Sequence, residues 1–161
     1  MSEKIVETLR ERTRTALQQQ VAAAEEAQRV AEARLVEQER ERQEHAAKYV
    51  AGLLRSEIRK MQDGANSAAD KGETSYKKEW TVTHDTTTER DKGHKIASDV
   101  VAQETANTTG LQQALASHLT EVGFTTSVYS KPVGYSEVVP DYGNEFHETG
   151  KLYGIIISWV E

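Results

Sequence analysis

The apolar residues in the first 50 positions recur at the period of an α-helix. Steps of three or four residues, or sums of such steps, separate them, and no glycine or proline interrupts residues 2–51. Alanine, glutamate, glutamine, arginine and leucine, which all have high helix propensity, make up most of this segment. The pattern therefore predicts an extended helix over residues 1–45.

Part of this apolar stripe fits the two seam positions of a heptad repeat, with Gln28 as a polar interruption. The seam residues are Leu17, Val21, Ala24, Ala31 and Leu35. Further along, the same register would place the polar residues Gln38, Arg42 and His45 on the seam. The apolar seam therefore ends near residue 35, and the charged block after it is typical of a solvated helix.

A helix with one narrow apolar stripe cannot bury that stripe against itself, which leaves three interpretations. The stripe drives self-association into a dimer or trimer coiled coil, or it docks the helix on another protein, or the helix stands alone and is held by ion pairs. The five seam residues are accordingly the candidate oligomerisation or docking site. The expected partners are further copies of the chain and other proteins of a larger assembly.

The hydrophobic pattern of residues 46–161 predicts an α+β head domain. Apolar residues again recur at helical spacing through residues 46–70, where Asp63-Gly64 can end or loosen the helix and Lys71-Gly72 is a stop signal. Strict alternation over residues 74–84 then predicts a strand that buries Tyr76, Trp80 and Val82.

The next segments alternate between polar and apolar stretches. DTTTERDKG at residues 85–93 reads as a polar loop, and residues 94–122 as two helices, 94–106 and 110–122, or as one helix with a weak centre. A strand over 124–131 follows. Residues 132–150 contain both prolines and several glycines, and predict a long loop with a short strand at SEVV.

The last stretch, KLYGIIISWVE at residues 151–161, is the most apolar part of the chain. A nearly continuous apolar strand is usually central in its sheet and covered on both faces or nearly so. The head is therefore expected to hold a three-stranded, mainly antiparallel sheet with this strand in the middle and helices over one face.

Composition narrows the possible functions. The net charge of −6 lies entirely in residues 65–161, which disfavours nucleic acid as a partner because phosphates require basic surface. The sequence has no cysteine, so disulfides and thiolate metal sites are excluded. No apolar run approaches the length of a membrane span, so no membrane association is expected.

No motif in the sequence indicates catalysis, and we expect no catalytic, cofactor-binding or metal-binding residues. None of the five histidines has another at a ligand spacing of three or four residues, and no serine lies in a nucleophile elbow. Aromatic residues near the predicted long loop form a candidate partner surface. They are Tyr129, Tyr135, Tyr142 and Phe146. The alternative is that they pack this loop onto its own sheet.

Three short motifs carry a family resemblance: AADKGETSY at residues 68–76, LASHLTEVGF at 115–124 and GIIISW at 154–159. In this order they resemble uncharacterised small α+β proteins of tailed phages that end in an apolar Ser-Trp strand, over about residues 58–159. The charged N-terminal helix is not part of that pattern.

The resemblance implies a viral origin and a non-enzymatic role. The expected function is a structural or interaction protein of a phage particle or phage-encoded assembly, located in the virion or the host cytoplasm. The alternative is a phage-encoded ligand-binding protein that captures a small molecule such as a host nucleotide signal.

Overall fold

The computed structural model describes residues 2–86, 95–140 and 142–159, and it confirms the predicted α+β class. A long N-terminal helix precedes a three-stranded antiparallel sheet on which a second helix packs. The elements are α1 (Ser2–Asp70), β1 (Ser75–Thr83), α2 (Ser98–Glu121), β2 (Thr125–Val139) and β3 (Gly143–Ser158). The chain divides into two compact units, Met1–Glu41 and Arg42–Glu161, and each is described by itself.

The sheet is organised around β3. Its strand order is β1-β3-β2, and both pairings are antiparallel, so that Ser158 lies opposite Ser75 on one side and Thr125 on the other. The predicted central position of the apolar stretch is therefore confirmed. Val160 and Glu161, the end of the predicted strand, lie outside the described residues.

One face of β3 forms the core with the two helices. Ile155 and Ile157 are completely buried, as are Met61 of α1 and Leu115 and Leu119 of α2. Each such side chain contributes on the order of 1.5–3 kcal/mol when it leaves water. On β1 the predicted alternation is observed, with Tyr76, Trp80 and Val82 on the side that is withdrawn from solvent.

The opposite face of the sheet has no helix over it among the described residues, which agrees with the expectation of helices over one face. Ile156 is only partly buried there. Tyr129 reaches across β3 from β2, and its hydroxyl donates a hydrogen bond to Glu79 of β1. The ring lies directly over Gly154, where a Cβ atom would come 2.2 Å from the ring carbon Cζ. Only glycine at this position allows the tyrosine to cross the central strand.

The predicted long loop at residues 132–150 is wrong, because nearly all of it belongs to β2 and β3. The residues that suggested a loop occupy places where a sheet accepts them. Pro132 lies in an edge strand, which needs no hydrogen-bond donor on its outer side. Gly134 lies at a register shift of the β2–β3 ladder, and Gly143 adopts a positive φ of 85° next to the turn. The described turn residues between the two strands are Pro140 and Tyr142.

The two helices are more continuous than the sequence indicated. Of the two readings of residues 94–122, the single helix is observed, since α2 runs unbroken from Ser98 to Glu121. Most of the predicted polar loop, residues 87–93, lies outside the described residues. Helix α1 also continues through Gly64, where the ring of Tyr76 lies 2.2 Å from the position that a Cβ would occupy. Gly64 therefore serves close packing and does not end the helix, which stops at Asp70 before the predicted Lys71-Gly72 signal.

A buried carboxylate ties α1 to the sheet. Glu57 is 6% exposed, and it forms ion pairs with Lys78 of β1 and with Lys60 one turn along its own helix, the latter at 2.6 Å. Burial acts to raise the pKa of Glu57, but the hydrogen bonds from Lys60 and Lys78 outweigh it, so the pKa is lowered below its ordinary value. The carboxylate is therefore charged in the folded state at neutral pH, and its charge stabilises the fold.

We expect Glu57→Gln to lower the free energy of unfolding at pH 7 by about 3 kcal/mol, because the change leaves Lys78 largely buried without its anion. The variant should also lose part of the acid dependence of stability. Because the folded-state pKa lies below 4.5, the stabilisation is complete above that value and disappears as the pH falls through the lowered pKa. Urea unfolding from pH 7 to pH 3 at one protein concentration measures both effects. Glu73→Gln, an exposed glutamate, is the control, and an unchanged acid slope in Glu57→Gln would contradict the assignment.

Because Tyr129 crosses over Gly154, we expect the effect of Gly154→Ala on stability to differ in sign between the natural chain and a Tyr129→Ala variant. In the natural chain, Gly154→Ala displaces the ring and breaks its hydrogen bond, so it should cost roughly 1–2 kcal/mol. In a Tyr129→Ala background the same change meets no ring, and it should be neutral or stabilising by up to about 1 kcal/mol, as glycine replacement in ordinary backbone is. Chemical denaturation of the natural chain, the two single variants and the double variant measures the coupling free energy between residues 129 and 154. Equal destabilisation in both backgrounds would show that another contact requires Gly154.

Candidate interaction surfaces

The first unit consists of helix without tertiary cover. Every residue from Ile5 to Glu41 is exposed. The hydrogen bonds and ion pairs that are resolved along it run between residues three or four positions apart, for example Gln28 to Glu32 at 3.0 Å and Arg29 to Glu26 at 3.3 Å. Such exposed pairs contribute only about 0.2–0.5 kcal/mol each. Within its own chain this segment therefore gains little from packing.

The predicted seam residues lie on this exposed helix. Leu17 and Val21 are both 57% exposed and Leu35 is 65% exposed, while Ala24 and Ala31 lie between them on the same stripe. Other large aliphatic side chains in the unit are exposed as well. They are Ile5, Val6, Leu9, Val30 and Val36. In the heptad register of the seam, Ile5, Leu9, Val30 and Val36 all lie outside the seam positions.

The four predicted aromatic residues are not brought together in one cluster. Tyr129 is engaged on the sheet, where burial and the hydrogen bond to Glu79 raise its pKa to about 12. Tyr135 stacks on His147 of the opposing strand, with ring centroids 5.0 Å apart. These two side chains therefore contribute to the packing of their own sheet and hairpin.

Tyr142 and Phe146 remain available. Tyr142, next to the turn between β2 and β3, is 89% exposed, and Phe146 is 52% exposed. Val138 was not among the predicted surface residues. It is 75% exposed and lies on the same face of the two strands as Phe146. Val138 fell within the predicted loop, so the sequence pattern did not indicate it. Alternation along a strand would have placed it on the exposed face.

The hairpin that carries these residues is acidic. Its strands beyond the register shift hold Glu137, Glu145 and Glu148, and residues 134–148 include no lysine or arginine. Glu137 and Glu145 lie directly opposite each other, an arrangement that costs stability in an isolated hairpin. His147 Nε2 lies 3.4 Å from Glu137 Oε2, near enough for an ion pair when the ring is protonated but without hydrogen-bond geometry. The hairpin thus presents apolar side chains among negative charges.

A groove in the second unit lies beside two aromatic residues. It has a volume of about 500 Å³, and one wall is formed by Phe124 and Trp159, whose rings meet edge to face with centroids 6.4 Å apart. The lining residues are Gln62, Asp63, Ala65, Asn66, Ala69, Phe124 and Trp159. The groove therefore combines aromatic surface with amide groups and one carboxylate, and it has no basic residue in its described lining.

The described part of the chain contains no group of three or more histidine, aspartate or glutamate side chains placed to hold a metal ion. His84 Nε2 lies 3.1 Å from the backbone oxygen of Glu148, which accounts for that ring within the fold. Among the helices described, none has a segment with the length and apolarity needed to cross a bilayer.

Comparison with known proteins gives no family assignment. No protein-family model matches the chain, and neither a curated protein nor a solved structure matches it significantly. The resemblance to small tailed-phage proteins therefore stays a prediction from the three sequence motifs.

Proposed function

We propose that this chain is a non-enzymatic structural or interaction protein of a phage particle or phage-encoded assembly, and that it self-associates through the seam of α1. The viral context comes from the sequence resemblance alone. The observation that supports the self-association is the exposure of every residue from 5 to 41, together with the aliphatic seam that they carry.

The energetics of an isolated helix support a partner for this segment. Helices in water gain most of their stability from packing an apolar face, and local propensity alone leaves them marginal. The seam exposes Leu17, Val21 and Leu35 by more than half of their surface. Burying such a side chain completely is worth about 1.5–3 kcal/mol, several times the contribution of an exposed ion pair. Association is therefore favoured over a helix that stands alone.

The second unit supplies a surface for a different partner. Its hairpin between β2 and β3 exposes Val138, Tyr142 and Phe146 in an acidic setting. Exposed aromatic residues are frequent in protein interfaces, and negative charges around them favour a basic partner surface. In the proposed assembly, the helix joins copies of the chain and the hairpin contacts another component.

The ligand-binding alternative is supported by the groove at Phe124 and Trp159, which is large enough for a small planar molecule. Its lining argues against a nucleotide, because Asp63 would repel phosphate groups and no described lining residue is basic. An uncharged or cationic planar compound fits this chemistry better.

The proposal predicts that the double change Leu17→Ser, Leu35→Ser weakens self-association. Each serine removes an aliphatic side chain that would be buried between helices, so the dissociation constant should rise by at least about tenfold per site, equivalent to 1.4 kcal/mol. Sedimentation equilibrium of the full chain over a range of concentrations measures the change. Val30→Ser, Val36→Ser is the matched control, since these valines are exposed on the same helix outside the seam. A natural chain that is monomeric at every concentration would contradict self-association.

The two functions differ in where the chain is found and in what stabilises it. A particle component should be present in purified phage particles at a fixed ratio to the other proteins, as quantitative mass spectrometry can establish. Its melting temperature should not change with added nucleotides, because the groove repels phosphate. A chain that is absent from particles, free in infected cells and stabilised by a nucleotide would favour the ligand-binding alternative.

A further inference from the structure

We infer that α1 pairs with a second copy of the chain as a parallel, in-register, two-stranded coiled coil. This inference rests on the proposed self-association and specifies the orientation, register and number of its helices. The exposed seam supplies the apolar surface, and the charges beside the seam decide between the possible arrangements.

The heptad register follows from the seam. With Val21 and Leu35 at position a, Leu17, Ala24 and Ala31 occupy position d, and Gln28 falls at position a between the two aliphatic layers. A β-branched residue at a next to leucine at d favours two strands over three. The two alanines at d allow the helix backbones to approach closely, which suits a pair of helices.

The positions that flank the seam carry different charges on its two sides. The e position next to Leu17 is Gln18, and the three that follow are all acidic, namely Glu25, Glu32 and Glu39. The g positions five residues before them, which face them in a parallel pair, are Gln20, Ala27 and Arg34, so that this side is neutral or basic as far as Arg34, and the next g position is Glu41. These residues set the orientation of a coiled coil because they meet across the interface.

In a parallel pair each g position faces an e position of the other helix. Arg34 then lies beside the partner's acidic e side, and Gln20 and Ala27 face glutamates without repulsion. In an antiparallel pair e positions face e positions, which would place rows of glutamates against each other. Like charges at such positions oppose pairing, so the charge pattern favours the parallel orientation.

Gln28 fixes the register at small cost. A single polar residue at position a disfavours shifted registers, because a shift would bury its amide against an aliphatic layer. In this structure the Gln28 amide nitrogen donates to Glu32 Oε1 at 3.0 Å. Glu32 is at position e, on the border of the seam, so the amide keeps a hydrogen-bond partner when the seam is covered.

Single cysteines test the arrangement directly, because the natural chain contains none. Ala24→Cys and Ala31→Cys each place a thiol at position d of the full-length chain. In a parallel, in-register pair both thiols meet their own counterparts, and each variant should form a disulfide-linked dimer under mild oxidation. The matched control is Ala33→Cys, on the helix face opposite the seam, and the d-position variants should give at least about tenfold more covalent dimer than this control.

No antiparallel register can reproduce this result. An antiparallel pair has one midpoint, so at most one of residues 24 and 31 can meet its own counterpart. If one pair meets, the other is displaced along the axis by 14 residues, or about 21 Å, far beyond the roughly 7 Å that a disulfide tolerates between Cα atoms. Non-reducing gel electrophoresis therefore distinguishes the two orientations.

Light scattering of the unoxidised variants separates failure of this inference from failure of the proposed function. A dimer that crosslinks at both positions supports the parallel pair. A dimer that crosslinks at only one position or at neither overturns the orientation or register while self-association stands, and a trimer overturns the two-stranded state. A chain that stays monomeric at every concentration overturns the proposed self-association and this inference with it.

Discussion

The second unit depends on the double pairing of β3. In the described sheet this strand lies between β1 and β2 and pairs with both, and its Ile155 and Ile157 are the side chains on which α1 and α2 meet. Without β3 the other two strands would have no partner within the described sheet, and Met61, Leu115 and Leu119 would lose the surface that they cover. The apolar stretch GIIIS is thus required at the same time by the hydrogen bonds of the sheet and by the packing of the core.

At two glycines, a tyrosine ring packs directly against the backbone of a neighbouring element of the second unit. Tyr76 of β1 packs against α1 at Gly64, and Tyr129 of β2 crosses β3 at Gly154. In each case an aromatic ring occupies the space that a side chain would otherwise fill, so that the ring contacts the backbone of another element. The two tyrosines fix the position of the helix over one face of the sheet and connect all three strands across the other.

The sequence was informative where a structure follows from local periodicity and less so where it follows from long-range context. Helix α1, the alternation of β1 and the central position of β3 could be predicted because each leaves a periodic or strongly apolar pattern. Pro132, Gly134 and Gly143 misled the prediction of the hairpin, since their effect depends on whether they lie at an edge, at a register shift or in a turn. The pairing of Glu57 with Lys78 and of Tyr129 with Glu79 joins residues far apart in sequence, and no local pattern indicates either. The candidate surfaces divide in the same way: the helical seam is visible in the sequence, but Val138 becomes apparent only from the strand register.

The position of β3 after all its partners has a consequence for synthesis on the ribosome. Ser75 must wait for Ser158 before it can pair, whereas α1 needs only hydrogen bonds to residues four positions away. Long-range pairing of this kind is slow to form compared with a local helix. During translation α1 therefore has its hydrogen-bond partners available while the sheet is still unpaired and the apolar faces of β1 and α2 are uncovered. The helix pairing proposed above would thus have a time window before the sheet closes, and in that window the exposed apolar faces are most in need of protection from aggregation.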